Sequence, residues 1–297
     1  MEIHQLRYFL AVVRTRNFSR AAEQCHVTQP SLSQQIKKLE DELGERLFAR
    51  TKREVVVTPA GELFSGHANR VLEEIEQGRE KVSEVRGQIR GRITLGVLPT
   101  IAPYFLPVRL QQFSKKYPDV EILVHEDTTA QLTDMVLAKE IDLALLSLPV
   151  VRRGLESVAL FQEDLLVAFP RNHPMAGKKR LQLTDLKNEE FIVMKEGHCL
   201  SGQTMQFCHL GGFSPKVGFQ SAQIETMLSF VAAGWGISIV PAMAKRPHGA
   251  GSLEFRKMAD LRREIGIIHR AAQPLSLAAR ALLGFFQLGG KSGGEAG

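Results

Sequence analysis

The residues in this chain best suited to covalent chemistry are Cys199 and Cys208, in the stretch GHCLSGQTMQFC. The chain has 3 cysteines in 297 residues, and two of them lie nine positions apart. Two readings fit. A free cysteine is most often a small buried hydrophobe. A pair can instead be redox-active: a thiolate is oxidised to a sulfenic acid, and a second thiol condenses with it to a disulfide. If the two cysteines were the ends of one helix, nine residues at about 1.5 Å each would hold their Cα atoms roughly 13 Å apart. A disulfide tolerates at most about 7 Å. The segment between them would have to refold before the bond closed, and Gly202 lowers the cost of that. Leu200, Met205 and Phe207 would move with it. The third cysteine, Cys25, lies beside His26 and reads as a packed small residue. The 9 histidines show neither HExxH nor paired Cys–His spacing, so no metal site and no cofactor are expected.

The elements that must position these thiols are numerous, because 297 residues are enough for two or three domains. Hydrophobic residues make up 44% and charged residues 24%, the balance of a soluble globular protein. No apolar run reaches the length that spans a bilayer. The N-terminus lacks a basic stretch and a small-residue cleavage site, so no signal peptide is expected. With so few cysteines a disulfide scaffold is excluded, and a reducing cytoplasmic location is expected. The net charge of +6 suits an acidic partner such as DNA.

At the N-terminus, Leu6, Phe9, Leu10 and Val13 recur at helical spacing. A short second helix follows in NFSRAAEQCHV, with Ala21 and Ala22 allowing close helix approach. In VTQPSLSQQIKKLEDELG, Thr28 is a candidate cap, Pro30 suits the first turn, Leu32, Ile36, Leu39 and Leu43 form a buried stripe, and Gly44 ends the helix. Two short helices in this arrangement form a helix-turn-helix. The basic turn RTKR and the strand-like REVVVT then read as a wing. From Thr58 and Pro59 a long amphipathic helix runs to about Arg86; its seam of Phe64, Val71, Leu72, Ile75, Val82 and Val85 predicts pairing with a second copy.

Beyond a hinge at Gly87 and Gly91, apolar strand-like runs alternate with helices. The strand candidates are RITLGVL, VEILVHE, IDLALLSL, DLLVAFP, EFIVMKE, ISIVP and EIGIIHR, an α/β region with mixed, largely parallel sheets. About 200 residues of this kind predict two subdomains with a cleft between them. The expected division is 1–58 for DNA binding, 59–90 for the linker and dimerisation helix, and 91–297 for a regulatory region. Within that region one subdomain is 91–163 plus 267–290 and the other is 164–266.

A recognition helix reads base edges near its N-terminus. Gln29, Pro30, Ser31, Ser33 and Gln34 hold that place, since Gln bonds adenine bidentately and Ser serves several bases. Lys37, Arg50, Lys52 and Arg53, with Lys38, would address phosphates. The stretch from LRYFLAVV to VVVTPAG strongly resembles the DNA-binding domain of LysR-type transcriptional regulators, and the resemblance continues to ETMLSFVAAGWGISIVPA. It implies a winged helix-turn-helix, a linker helix that pairs subunits, and a regulatory region of two α/β subdomains like periplasmic solute-binding proteins. It also implies a homodimer or homotetramer acting on promoter DNA with RNA polymerase as a partner, no membrane, and no enzyme activity. Many members carry Arg or Lys where this chain has Gln34.

Within that family, GHC with a second cysteine nine residues on resembles the peroxide-sensing OxyR-like group. The resemblance makes Cys199 the peroxidatic thiol and Cys208 the resolving one. It puts Thr100 in GVLPTIAPYFLP, Thr129 in HEDTTAQL, His198 and Arg270 in IGIIHR around the pocket where hydrogen peroxide meets the thiol. A cation, hydrogen-bond donors or a helix N-terminus there are expected to depress the thiol pKa. The group commonly has Arg-Asp after GHCL, where this chain has Ser201-Gly202; Gly218 stands where some members have His. The other reading within the family is a regulator whose cleft binds a small metabolite.

Overall fold

The first element, α1 (Ile3–Thr15), turns Leu6, Phe9 and Leu10 inward on its apolar stripe. α2 (Phe18–Gln24) is capped by Asn17, whose side chain accepts from the amides of Ser19 and Arg20. Ala21 and Ala22 are buried, so the helices meet closely there. α3 (Gln29–Leu43) is capped by Thr28 through the Ser31 amide, a contact worth about 1 kcal/mol, and stops at Gly44 with φ of 73°. Leu32, Ile36 and Leu39 are fully buried, but Leu43 is 37% exposed. The stripe therefore ends one turn earlier than its spacing predicts, because the last turn overhangs the core. β1 (Phe48–Arg50) pairs antiparallel with β2 (Val55–Val57) as the wing.

The structure is a computed structural model that describes residues 1–50, 55–84, 88–245 and 253–290. Lys52, Arg53 and Val85 lie outside the described residues, as does the side chain of Arg50. The chain divides into two units, Met1–Gln88 and Ile89–Gly297.

α4 (Pro59–Glu84) closes the first unit. Thr58 Oγ1 accepts from the Gly61 amide at 3.0 Å and donates to the Arg46 carbonyl at 2.6 Å, which ties the helix start to the wing. Gly61 is required, since a Cβ there would stand 2.3 Å from the Leu47 carbonyl oxygen. Phe64 packs on Phe9, with ring centroids 5.3 Å apart. Farther along, Val71 and Val82 of the seam are exposed.

In the second unit the order is β3 (Gly91–Val97), α5 (Ala102–Lys116), β4 (Val120–Glu126), α6 (Thr129–Ala138), β5 (Leu143–Leu148) and β6 (Leu155–Pro170). Then come β7 (Glu190–Met194), α7 (Cys199–Leu210), β8 (Lys216–Ser221), α8 (Ile224–Ala232), β9 (Ser238–Pro241), β10 (Leu253–Arg270) and α9 (Leu277–Gly290). A six-stranded sheet has the order β4-β3-β5-β10-β6-β9, and β7 pairs with β8. β3 is parallel to both β4 and β5, and β7 is parallel to β8. β10 runs antiparallel to β5 and β6, and β6 antiparallel to β9.

The sheets are thus mixed, with two parallel groups joined by antiparallel strands. β6 and β10 are much longer than the apolar runs DLLVAFP and EIGIIHR. Their other halves carry charges such as Glu163 and Arg263, which hide the strand signal. These two strands thread both hydrophobic cores. One core holds Ile93, Leu95, Leu132, Leu145, Ile267 and Phe286; the other holds Phe169, Phe191, Ile192, Leu228, Ile239 and Leu261. β8, interrupted by Gly218, was not among the predicted strands.

Candidate peroxide and DNA sites

The sequence GHC becomes a helix start. Gly197 adopts φ of 91°, a left-handed conformation that turns the chain from β7 towards α7. His198 takes the cap position, and Cys199 is the first residue of α7. Cys208 lies near the other end of the same helix. Nine residues are two and a half turns, so the two side chains leave opposite faces, with Cα atoms roughly 13 Å apart. Cys208 is completely buried in the core of Phe191 and Leu228, whereas the partly buried Cys199 packs against the other core. Both thiols are free.

Around Cys199 the unit brings together groups from several elements. Thr100, 1% exposed, follows β3 and accepts from Arg263 Nη1 at 2.9 Å through its hydroxyl and from Nη2 at 3.2 Å through its carbonyl. Thr129 opens α6. Its buried Oγ1 makes no hydrogen bond of ordinary geometry, yet its hydroxyl lies close enough to the Cys199 sulfur to favour the thiolate. The backbone amides of Cys199 and Leu200 act in the same sense. Gln203, one turn beyond Cys199, donates from Nε2 to Ser147 Oγ on β5 at 3.0 Å and leaves its buried Oε1 unpartnered. Two unpartnered buried oxygens, on Thr129 and Gln203, therefore belong to the elements that surround this thiol, and a small ligand rich in donors and acceptors would satisfy such groups.

Two expectations change. The cation whose field reaches Cys199 is Arg263, not Arg270. Arg270 stands seven residues farther along β10, roughly 23 Å at the rise of an extended strand. Its Nη1 donates to the carbonyls of Val136 and Ile141, at 2.7 and 3.4 Å, and Nε donates to Gln273. Arg270 ends the strand-like run EIGIIHR and Arg263 immediately precedes it, inside the same β10. Second, the Cys199 thiol is not depressed: burial pushes it up, against the pull of Arg263, the amides and Thr129. Burial also lowers the His198 imidazole, with Asp127 opposing, so the ring beside the helix start favours its neutral form. Cys208 is pushed up to about 11 by burial. Arg263 and Gln203 were missed in the sequence because neither belongs to a spaced motif; an i, i+4 relation to Cys199 was the available clue for Gln203.

In the first unit, α3 exposes Gln29, Pro30, Ser31, Gln34 and Lys37, with Ser33 half-buried. An open groove of about 680 Å³ is lined by Gln29, Pro30, Ser33, Gln34 and Lys37 together with Glu40, Arg46 and Phe48. The buried Glu40 fixes the wing to this helix, since Oε1 accepts from the amides of Leu47 and Phe48 at 2.9 and 3.2 Å. Among the described residues no cluster of His, Cys, Asp and Glu suits a metal, and no helix is long and apolar enough to cross a membrane.

Residues 3–62 match the family of bacterial regulatory helix-turn-helix proteins of the lysR type, and residues 86–289 match the LysR substrate binding domain. The chain is 37% identical over 279 residues to the DNA-binding transcriptional dual regulator OxyR of Escherichia coli K12, covering 93% of this chain and 91% of the relative. A full-length OxyR variant from Pseudomonas aeruginosa is similar at a TM-score of 0.74 and 31% identity, over 97% of this chain and 95% of that one. A peroxide-bound cysteine variant of OxyR from Corynebacterium glutamicum has a TM-score of 0.66 at 30% identity, over 97% and 92%. CbnR in complex with its target DNA has a TM-score of 0.72 at 25% identity, over 97% and 99%. The exposed α3 and the paired wing strands of the first unit agree with the first family match, and the α/β fold of the second unit agrees with the other. The chain belongs to the LysR family of bacterial transcriptional regulators.

Proposed function

We propose that this regulator senses hydrogen peroxide through Cys199 and Cys208 and activates transcription in response. The observation that carries the reading is the placement of Cys199 at a helix N-terminus, among Thr100, Thr129 and Arg263, with Cys208 on the opposite face of the same helix. The Cys199 thiolate attacks one peroxide oxygen, the O–O bond breaks, and the departing hydroxide takes up a proton to leave as water. Cys199 becomes a sulfenic acid. The Cys208 sulfur then displaces its hydroxyl, forming the disulfide and a second water. The bond cannot close across an intact α7, so α7 must unwind and Cys208 must leave its core. That repacking is the signal.

Residues 1–58 are assigned to DNA binding, with Gln29, Pro30, Ser31, Ser33 and Gln34 at the bases and Lys37, Arg50, Lys52 and Arg53 at the phosphates. Residues 59–90 link subunits through the exposed seam of α4, in a homodimer or homotetramer that engages RNA polymerase at promoters. Residues 91–297 sense, in two subdomains of 91–163 plus 267–290 and of 164–266. Thiol mapping by mass spectrometry tests the reading. Peroxide should remove two hydrogens from the peptide pair holding Cys199 and Cys208, and Cys199→Ser should abolish both that loss and peroxide-induced transcription. A normal response of Cys199→Ser, with a small metabolite raising the melting temperature, would favour the cleft-ligand reading instead.

A further inference from the structure

Glu163 is buried on β6 and lies directly opposite Arg263 in the β6–β10 register. Its Oε2 accepts from Arg263 Nε at 2.8 Å and lies 2.7 Å from Nη2, and its Oε1 accepts from the Met243 amide at 2.9 Å. The Arg263 side chain has no exposed surface and Glu163 only 5%. A buried guanidinium fixed at two points by one carboxylate has its direction set and much of its charge cancelled. The same guanidinium reaches Thr100 and acts on Cys199. The charged and titratable groups that act at the Cys199 end of α7 include Arg263 from β10 with Glu163 behind it from β6, His198 from the helix start, and Asp127 from the turn before α6. Thr100 and Thr129 contribute uncharged hydroxyls.

We propose that Glu163 is a positioning residue that restrains Cys199: it holds Arg263 beside the thiol while cancelling much of the charge that would otherwise ionise it. This rests on Cys199 being the reactive thiol of the proposed sensor. The restrained state suits a switch that stays reduced until peroxide accumulates, because a cysteine kept as thiol is slow to oxidise.

The test is the pH profile of iodoacetamide alkylation at the Cys199 peptide, read by mass spectrometry on the full chain. In Glu163→Gln, the midpoint should fall by about one pH unit, giving about tenfold more thiolate below it. The alkylation rate at neutral pH should rise roughly threefold, since nucleophilicity falls as basicity falls. A folded Glu163→Gln protein with an unchanged or higher midpoint overturns the proposal, as would be seen if the carboxylate only held the fold. If Glu163→Gln does not fold, Glu163→Asp decides. Its carboxylate keeps the charge but withdraws from Arg263, and the midpoint should fall by a smaller step; no fall overturns the proposal. Alkylation needs no peroxide response, so failure here is separate from failure of the sensor reading, which Cys199→Ser reports.

Discussion

The two ends of α7 are opposites. At its N-terminal end Cys199 lies by backbone amides, the Thr129 hydroxyl and an arginine paired with Glu163, partly open to solvent. At its C-terminal end Cys208 meets apolar side chains of a closed core, and nothing there favours a charge. One sulfur is placed to react and the other to pack. A helix that kept both roles at once could not form the bond, so reactivity at one end and burial at the other make disulfide formation require a structural change. The most direct way to break this comparison is hydrogen exchange. In the reduced protein the amides of the second half of α7 should be protected, and after peroxide they should exchange at least about 100-fold faster, a loss of roughly 3 kcal/mol in local opening free energy. Equal protection in the two states would mean that α7 survives oxidation and that the ends are not opposed.

The buried end makes its own prediction. The Cys208 thiol is raised from 9.0 to about 11 by burial. Below about pH 9 both folded and unfolded chains carry the neutral thiol, and the group contributes no pH dependence. As pH rises from there the unfolded chain loses its proton first, so the folded state is destabilised progressively until the folded thiol ionises near 11. The full step is roughly 3 kcal/mol. Denaturant melts of wild type and Cys208→Ala across this range should converge as pH rises, because Cys208→Ala lacks the step while being less stable at neutral pH through the cavity it leaves. Parallel curves would show that Cys208 is not in a closed core.

Much of this was legible from residue types. Thr28, Pro30 and Gly44 mark the limits of α3, and GHC marks the turn into α7. What the sequence hid depended on register across long strands. Arg263 lies inside β10 and Arg270 at its end; the register sets the first opposite Glu163 and the second opposite Leu155, and their side chains reach Thr100 and Val136 respectively. Glu163 likewise looks like an exposed charge until Arg263 and the Met243 amide enclose it. Leu43 fits the helical stripe by spacing but sits on the last turn, where the core has ended. Periodicity reports a face of an element, whereas a site at the junction of two cores depends on distances between elements.

The Cys199 end can be sharpened by one hydroxyl. Thr129→Val removes a buried oxygen without ordinary partners and preserves the shape. Stability should be unchanged or slightly higher, since an unsatisfied polar group has been deleted. The peroxide reaction of Cys199 should slow by about tenfold, because a hydrogen bond to a charged sulfur is worth about 1.5 kcal/mol or more. Stopped-flow sulfenic acid trapping measures it. An unaltered rate would move Thr129 out of the reacting site and leave the two ends of the helix more alike than proposed.

The smallest effect concerns the segment between the ends. Gly202 is helical, and a Cβ there would meet nothing within 4 Å. Ala at this position stabilises the helix by roughly 0.5–1 kcal/mol, mostly by reducing the freedom of the unwound segment. On the proposed switch the reduced form keeps that helix and the disulfide form cannot. Gly202→Ala should therefore make the disulfide easier to reduce, raising the reduction potential by about 10–20 mV against a thiol buffer, while the peroxide rate at Cys199 stays the same. The two readouts separate the ends of α7 by their chemistry: unwinding sets the potential and the Cys199 environment sets the rate. A change in rate with no change in potential would reverse that division.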